Sequence, residues 1–108
     1  GYLQYLIIVV AKLFEPLRIH SIELKNRIVV SPMCEYSGVD GFANDWHLVH
    51  LGSQARRWGG AGNTVGYAVS PEGRISRGDL GLWKDQQIGF LQRITQFITA
   101  QAVVPAIQ

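Results

Sequence analysis

The ten residues KNRIVVSPMC, positions 25–34, contain a strand that ends at a proline. Residues 27–31 (RIVVS) form a β-branched apolar run, which predicts a strand buried in a sheet. Pro32 cannot continue a sheet ladder, so it ends the strand and holds the following residues in a rigid position. The segment therefore predicts a buried strand with Met33 and Cys34 just beyond its end.

Strand and helix patterns alternate on either side of this segment. In chain order the sequence predicts a hairpin at 17–24, the strand at 27–31, a helix at 46–58 capped by Asp45, a strand at 63–69, a polar loop at 70–81, a helix at 84–101 and a strand at 103–108. Strands that alternate with helices indicate parallel pairing and an α/β fold. The pattern alone does not choose between a closed barrel and an open sheet.

Composition limits the class of protein and its partners. The chain has 108 residues, of which 47% are hydrophobic, and a net charge of +2, so no nucleic-acid partner is predicted. Residues 1–11 form an apolar leader of unclear status, well short of the ~20 residues that span a membrane, and no membrane attachment is expected. The single cysteine indicates a reducing compartment, for which we expect the cytoplasm.

Two motifs suggest sites that the spacing does not support. His47 and His50 are three residues apart on the first predicted helix, but no third ligand lies at fitting spacing, so no metal site is predicted. The glycine-rich segment 59–66 lacks the spacing of a dinucleotide-binding turn, and it follows a helix where such a turn would open one. Structural roles are expected for both histidines.

Four blocks of the sequence resemble the Old Yellow Enzyme family, most closely its bacterial-type ene-reductases. They are LFEPLRIHSIELKNRIVVSPMCEYS (13–37), DGFANDWHLVHLGSQA (40–55), AVSPEGRISRGDLGLWKDQQI (68–88) and AIQ (106–108). The resemblance covers residues 12–108 and implies the N-terminal portion of a (β/α)8 TIM barrel, with about three strands, two helices and an N-terminal hairpin. Barrels of this kind bind their ligands at the carboxyl ends of the strands.

The resemblance also implies site residues for flavin mononucleotide (FMN). Ser31, Pro32, Met33 and Cys34 would line the flavin, and the Cys34 thiol would tune its reduction potential. Gly66 would lie near the ring, and the amide of Gln108 would contact its polar edge. Tyr36 would bind the substrate. The implied activity takes hydride from NADH or NADPH and reduces an activated C=C bond, such as that of an enone.

Three departures from the family pattern lead to expectations of their own. Gly66 stands where the family tends to have alanine, and Ala102 stands where glycine is common, which costs ~1 kcal/mol if that position needs a positive φ. A complete barrel needs ~250 residues, so this chain is expected to be a fragment, inactive alone, that lacks the phosphate-binding residues. The alternative is a non-catalytic remnant that serves interaction or assembly, and its open sheet edge would favour self-association.

Overall fold

The computed structural model describes residues 11–57, 61–63 and 67–108, so most of the apolar leader lies outside the described residues. The strands are β1 Leu17–Ile19, β2 Ile22–Leu24, β3 Val29–Val30, β4 Ala61–Asn63, β5 Tyr67–Ala68, β6 Leu80–Gly81 and β7 Val104–Ala106. The helices are α1 Asp45–Arg57 and α2 Ile88–Ala100, and short 3-10 turns cover Ala11–Phe14, Pro71–Gly73 and Asp85–Gln87.

A three-stranded parallel sheet lies at the centre of the described chain. Its order is β3-β4-β7, and Val30 pairs with Gly62 while Asn63 pairs with Ala106. The helices α1 and α2 connect these strands, which confirms the predicted alternation and the α/β class. Pro105 lies within β7, at an edge of this sheet, which is where a strand tolerates a missing donor.

The predicted hairpin is confirmed, whereas the second predicted strand is wrong in its bounds. β1 and β2 pair antiparallel from Leu17↔Leu24 to Ile19↔Ile22. The strand expected at 63–69 begins earlier, as β4, and the described residues pair again as β5; residues 64–66 lie outside the described residues. The loop expected at 70–81 contains β6, which pairs parallel with β5. Strands of two residues have no periodicity, so only their partner reveals them.

The cap of α1 lies one residue before the predicted position. Asn44 Oδ1 accepts a hydrogen bond from the Trp46 backbone N–H at 3.0 Å, and Asn44 O accepts one from the His47 N–H. Asn44 is therefore the N-cap, and Asp45 is the first helical residue, where its charge still favours the positive helix end. Asn44 and Asp45 are both good caps, so the sequence alone could not separate them.

The core lies between the two helices and the sheet. Ile94 and Ile98 on α2 are fully buried, and Leu51 and Ala55 on α1 pack into the same cluster. Gly52 allows the close approach of the helices, because a Cβ there would come within 2.9 Å of the Phe97 ring. Each helix therefore turns an apolar side toward the core.

The start of α2 differs from the prediction, whereas the turn after its end has the conformation considered at Ala102. The helix expected from Lys84 opens with the 3-10 turn Asp85–Gln87 and becomes α-helical only at Ile88. At the other end Ala102 has φ 59°, which is the costly conformation considered from the sequence. The Ala102 N–H donates to Thr99 O and the Val103 N–H to Ile98 O, so the last turn closes as it would around a glycine.

Candidate functional site

The predicted site residues lie where the parallel strands end, a side of the sheet called here the carboxyl edge. Ser31 directly follows β3, and Gln108 comes two residues after β7. Because β3, β4 and β7 run parallel and in register, their ends meet along this edge. Gly66 falls three residues after β4 and lies outside the described residues.

Cys34 and Gln108 line one cavity beside the carboxyl edge. It has a volume of about 210 Å³, and its other lining residues are Tyr67, Ala68, Gly73, Ile75 and Asp79. The Tyr67 N–H donates to Gln108 O at 3.1 Å, which ties the last residue to β5. Cys34 is a free, exposed thiol. We call this space the Cys34 cavity.

Tyr36 lies close by in a strained backbone conformation. Its φ is 52°, uncommon for an aromatic residue, and its side chain is 65% exposed. Tyr36 and Cys34 line a second, smaller cleft together with Glu35, His47, Gly78, Asp79 and Leu80. The structure therefore brings Cys34, Tyr36 and Gln108 to the same region.

Gly78 and Gly38 bring two loops into contact beneath Tyr36. A Cβ on Gly78 would lie 2.5 Å from Tyr36 O, so no other residue fits there without movement. The Gly38 N–H donates to Gly78 O at 2.8 Å, and a Cβ on Gly38 would lie 2.9 Å from that oxygen. The backbone at Tyr36 thus rests directly on the segment that precedes β6.

Asp79 organises that segment, and its role was not predicted. Its buried carboxylate accepts hydrogen bonds from the Ile75 N–H at 2.8 Å, the Ser76 N–H at 3.1 Å and Ser76 Oγ at 3.2 Å. Asp79 follows Ser76 by three residues, a spacing at which an aspartate side chain often closes a loop by accepting hydrogen bonds. This spacing is the sequence signal that could have indicated the role of Asp79. Asp79 lines both the Cys34 cavity and the cleft under Tyr36.

Glu35 contacts His50 of α1, and sequence reasoning also missed this contact. His50 Nε2 lies 2.8 Å from Glu35 Oε1, and the two side chains are 28% and 18% exposed. The His50 ring stacks on Trp46, with ring centroids 6.3 Å apart and planes 5° from parallel. Glu35 lies between Cys34 and Tyr36 in the chain, and no pattern along the sequence links it to His50.

His47 is almost completely buried at the start of α1. Its Nδ1 accepts a hydrogen bond from the Asn44 N–H at 3.1 Å, so the ring is engaged with the backbone that precedes the helix. Burial lowers the pKa of His47 most, and nearby His50 lowers it further, while nearby Glu35 opposes the change. The neutral imidazole is therefore the favoured form.

The described part of the chain contains neither a metal-binding cluster nor a membrane-spanning helix. Within residues 11–57, 61–63 and 67–108, no three His, Cys, Asp or Glu side chains come together in a way that could hold a metal ion. Over the same ranges, no helix is both long and apolar enough to cross a bilayer.

Comparison with protein families and curated sequences gives consistent matches. The model of the NADH:flavin oxidoreductase / NADH oxidase family matches residues 12–108. NADH:flavin oxidoreductase FG08077 from Gibberella zeae is 43% identical over 97 residues, which cover 90% of this chain and 24% of that protein. NADPH dehydrogenase from Bacillus cytotoxicus is 44% identical over 99 residues, which cover 90% of this chain and 29% of that protein. The chain spans about a quarter of the length of these relatives.

Solved structures share the fold. Old Yellow Enzyme from Pichia sp. AKU4542 superposes with a TM-score of 0.82 at 24% identity, over 90% of this chain and 25% of that one. The old yellow enzyme from Trypanosoma cruzi gives a TM-score of 0.80 at 18% identity, over 93% of this chain and 27% of that one. The predicted fold class, part of a (β/α)8 barrel, is confirmed.

Proposed function

This chain belongs to the NADH:flavin oxidoreductase / NADH oxidase family, and we propose that it forms the flavin-facing part of an FMN-dependent oxidoreductase. In the proposed reaction, NADH or NADPH supplies hydride and an activated alkene, such as an enone, is reduced. Because the chain spans about a quarter of its curated relatives, we assign this reaction to a complete barrel. We propose a cytoplasmic location, on the basis of the single cysteine.

One observation carries the proposal. Cys34 and Gln108 are far apart in the chain, yet they line a single cavity beside the carboxyl edge. Ligands of (β/α)8 barrels bind on that side of the sheet. A thiol and a neutral amide that meet there supply the two groups proposed for a flavin ring, one polarisable and one with both donor and acceptor.

The residues at the carboxyl edge fit a flat heteroaromatic ring. Ser31, Met33 and Cys34 are exposed and Pro32 is half-buried, so four consecutive residues offer an accessible surface on rigid backbone. We propose that these four residues and Gln108 hold FMN, and that Gly66 approaches it closely. When bound there, FMN supplies the hydride-transfer chemistry. Cys34 adjusts the reduction potential of the bound flavin.

Tyr36 is the proposed substrate-binding residue. Its exposed side chain projects from a backbone held by Gly78, so the phenol is available to a ligand at a defined place. A phenol can donate a hydrogen bond to a carbonyl oxygen, which withdraws electrons from the conjugated alkene. This role is compatible with an enone.

A chimera tests the proposal. Residues 12–108 replace the matching segment of the Bacillus cytotoxicus NADPH dehydrogenase, and the product is purified and denatured to release any bound flavin. We expect a yellow protein that oxidises NADPH when an enone is added. Cys34→Ser should leave the chimera yellow but shift the flavin midpoint potential. The control Ser53→Ala, on the exposed face of α1, should leave both the colour and the midpoint potential unchanged. A folded but colourless chimera would contradict the proposal.

A non-catalytic assembly role is the second candidate, and an apolar groove favours it. The groove, about 280 Å³, runs between α2 and the end of β7, and is lined mainly by Tyr67, Leu82, Ile88, Leu91, Ile94, Pro105 and Ile107. In this alternative the open edge pairs with a protein partner or a second copy. A colourless chimera together with stable self-association of the chain would favour this candidate over the enzyme.

A further inference from the structure

We propose that the Glu35–His50 pair is a positioning device that holds the segment between Cys34 and Tyr36 in its working conformation. Its relevance to catalysis rests on the proposed function, whereas the contact itself does not. Neither side chain is among the residues proposed to hold FMN or the substrate, so both are positioning residues. They would act through the thiol before Glu35 and the phenol after it.

The bond has the features of a strong interaction. Glu35 Oε1 and His50 Nε2 are 2.8 Å apart, and both side chains are mostly shielded from water. A hydrogen bond to a carboxylate is shorter and stronger than a neutral one, and partial burial reduces its screening by solvent. The ring of Trp46 lies parallel to the imidazole, an arrangement that favours this orientation of the His50 ring.

The pair adds a side-chain tie between this loop and α1, next to the bond from Asn44 at the helix start to Ser37 O. On one side, Gly78 meets the backbone of Tyr36 and Gly38 bonds to Gly78. On the other, Glu35 is tied to α1 through His50. The loop bearing Cys34 and Tyr36 is therefore clamped between the segment before β6 and the helix.

Hydrogen bonds next to the pair continue the same attachment. Ser37 Oγ donates to Glu35 O at 2.8 Å, and Asn44 Nδ2 donates to Ser37 O at 2.8 Å. The strained φ of Tyr36 persists only if surrounding contacts hold it. Glu35 is its immediate neighbour, so losing the tie to His50 would let the strain relax and shift both flanking side chains.

The single cysteine makes this proposal measurable without any cofactor. Cys34 is the only thiol of the chain, so the rate of alkylation by iodoacetamide reports on its surroundings alone. His50→Phe keeps an aromatic ring against Trp46 but removes the bond to Glu35. Glu35→Met removes both the bond and the charge, whereas Glu35→Gln removes only the charge and can still accept from His50.

We expect His50→Phe and Glu35→Met each to speed alkylation by a similar factor, at most about tenfold, because Cys34 is already exposed and one charge-assisted hydrogen bond is lost. Glu35→Gln should stay close to the parent rate. The double variant Glu35→Met with His50→Phe should react no faster than the faster single variant, because both changes remove the same bond. Glu23→Gln, which breaks an exposed pair with Arg18 on the hairpin, is the matched control and should have no effect.

A purely electrostatic influence of Glu35 on the thiol gives a different result. Glu35→Gln and Glu35→Met would then speed alkylation equally, and His50→Phe would slow it, because an unpaired carboxylate opposes thiolate formation. That pattern, or unchanged rates in all variants, would overturn the proposal. If His50→Phe does not fold, the comparison of Glu35→Gln with Glu35→Met decides alone.

The outcome is independent of the test of the proposed function. Alkylation is measured on the flavin-free chain, so a colourless chimera would remove the enzyme assignment and leave the positioning result standing. Conversely, a yellow, active chimera in which His50→Phe changes neither the alkylation rate nor the KM for the enone would remove the positioning role only.

Discussion

Ala102 is a residue whose side chain conflicts with its backbone. Its φ of 59° closes the C-terminal turn of α2 with bonds to Ile98 and Thr99. This left-handed conformation brings Cβ close to the following carbonyl, a cost that glycine avoids. The neighbouring Lys25 Nζ donates to Gln101 O at 2.9 Å, which further satisfies the end of the helix.

We expect Ala102→Gly to raise the free energy of unfolding by about 1 kcal/mol, because the strain is relieved. Ala100→Gly is the matched control: that residue is helical, so the same change should lower stability by roughly 0.5–1 kcal/mol. Equilibrium urea unfolding followed by tryptophan fluorescence measures both. Destabilisation by Ala102→Gly would show that the left-handed turn is not populated.

At the scale of elements, the start of α1 and the loop before it form one unit. Asn44 caps the helix, its amide binds Ser37 O, and its N–H donates to buried His47. One turn later His50 reaches Glu35. The helix therefore organises the loop that carries the proposed site, in addition to packing against α2.

This unit should weaken in acid because the pKa of His47 is lowered, mainly by burial. In the unfolded chain the His47 imidazole binds a proton near pH 6.5, whereas in the folded chain it binds one only at lower pH. Below about pH 6.5 the unfolded state therefore binds more protons than the folded state, which lowers stability. Stability should be fully present above about pH 6.5 and should fall as the pH drops from there toward the lowered pKa.

Unfolding free energies between pH 7.5 and pH 5, a window chosen to bracket a pKa of about 6.5, test this expectation. His47→Gln should remove part of the decline that the parent displays. His20→Asn, in the exposed hairpin turn, should retain it, since asparagine tolerates the positive φ of 54° found there. An identical decline in the parent and in His47→Gln would assign the acid sensitivity to other groups.

At the scale of the whole molecule, apolar surface remains uncovered in the described part of the chain. β3 and β7 form the two edges of the central sheet. Several large apolar side chains are about half exposed or more, among them Val29 on β3 and Ile107 just after β7. Open edges bordered by apolar surface promote pairing with other chains.

We therefore expect the purified chain to self-associate in a concentration-dependent way in sedimentation experiments. Val29→Lys combined with Ile107→Lys should weaken the association, because charges at both edges oppose pairing. Val39→Lys combined with Ile19→Lys is the matched control, at residues 70% and 49% exposed but away from the central sheet. A monomeric parent chain, or equal effects of the two double variants, would contradict this prediction.

The sequence by itself determined the order of the main elements, and its resemblance to the family located the cost at Ala102. These features are local: periodicity separates helices from strands, Pro32 ends a strand, and the preferred φ of a residue depends on its own Cβ. The same reasoning chose the wrong neighbour as the cap of α1 and missed β6, because a choice between adjacent good caps or a two-residue strand leaves no periodic signal.

Only the tertiary structure decided which distant residues meet. The cavity shared by Cys34 and Gln108, the contact of Gly78 with Tyr36 and the bond from Glu35 to His50 all depend on how separate elements pack. The resemblance to the family could predict that Cys34 and Gln108 lie close together. No spacing along the chain predicts the contact of Gly78 with Tyr36 or the bond from Glu35 to His50. They arise because sheet pairing and helix packing bring together segments whose separation in sequence carries no information about their distance in space.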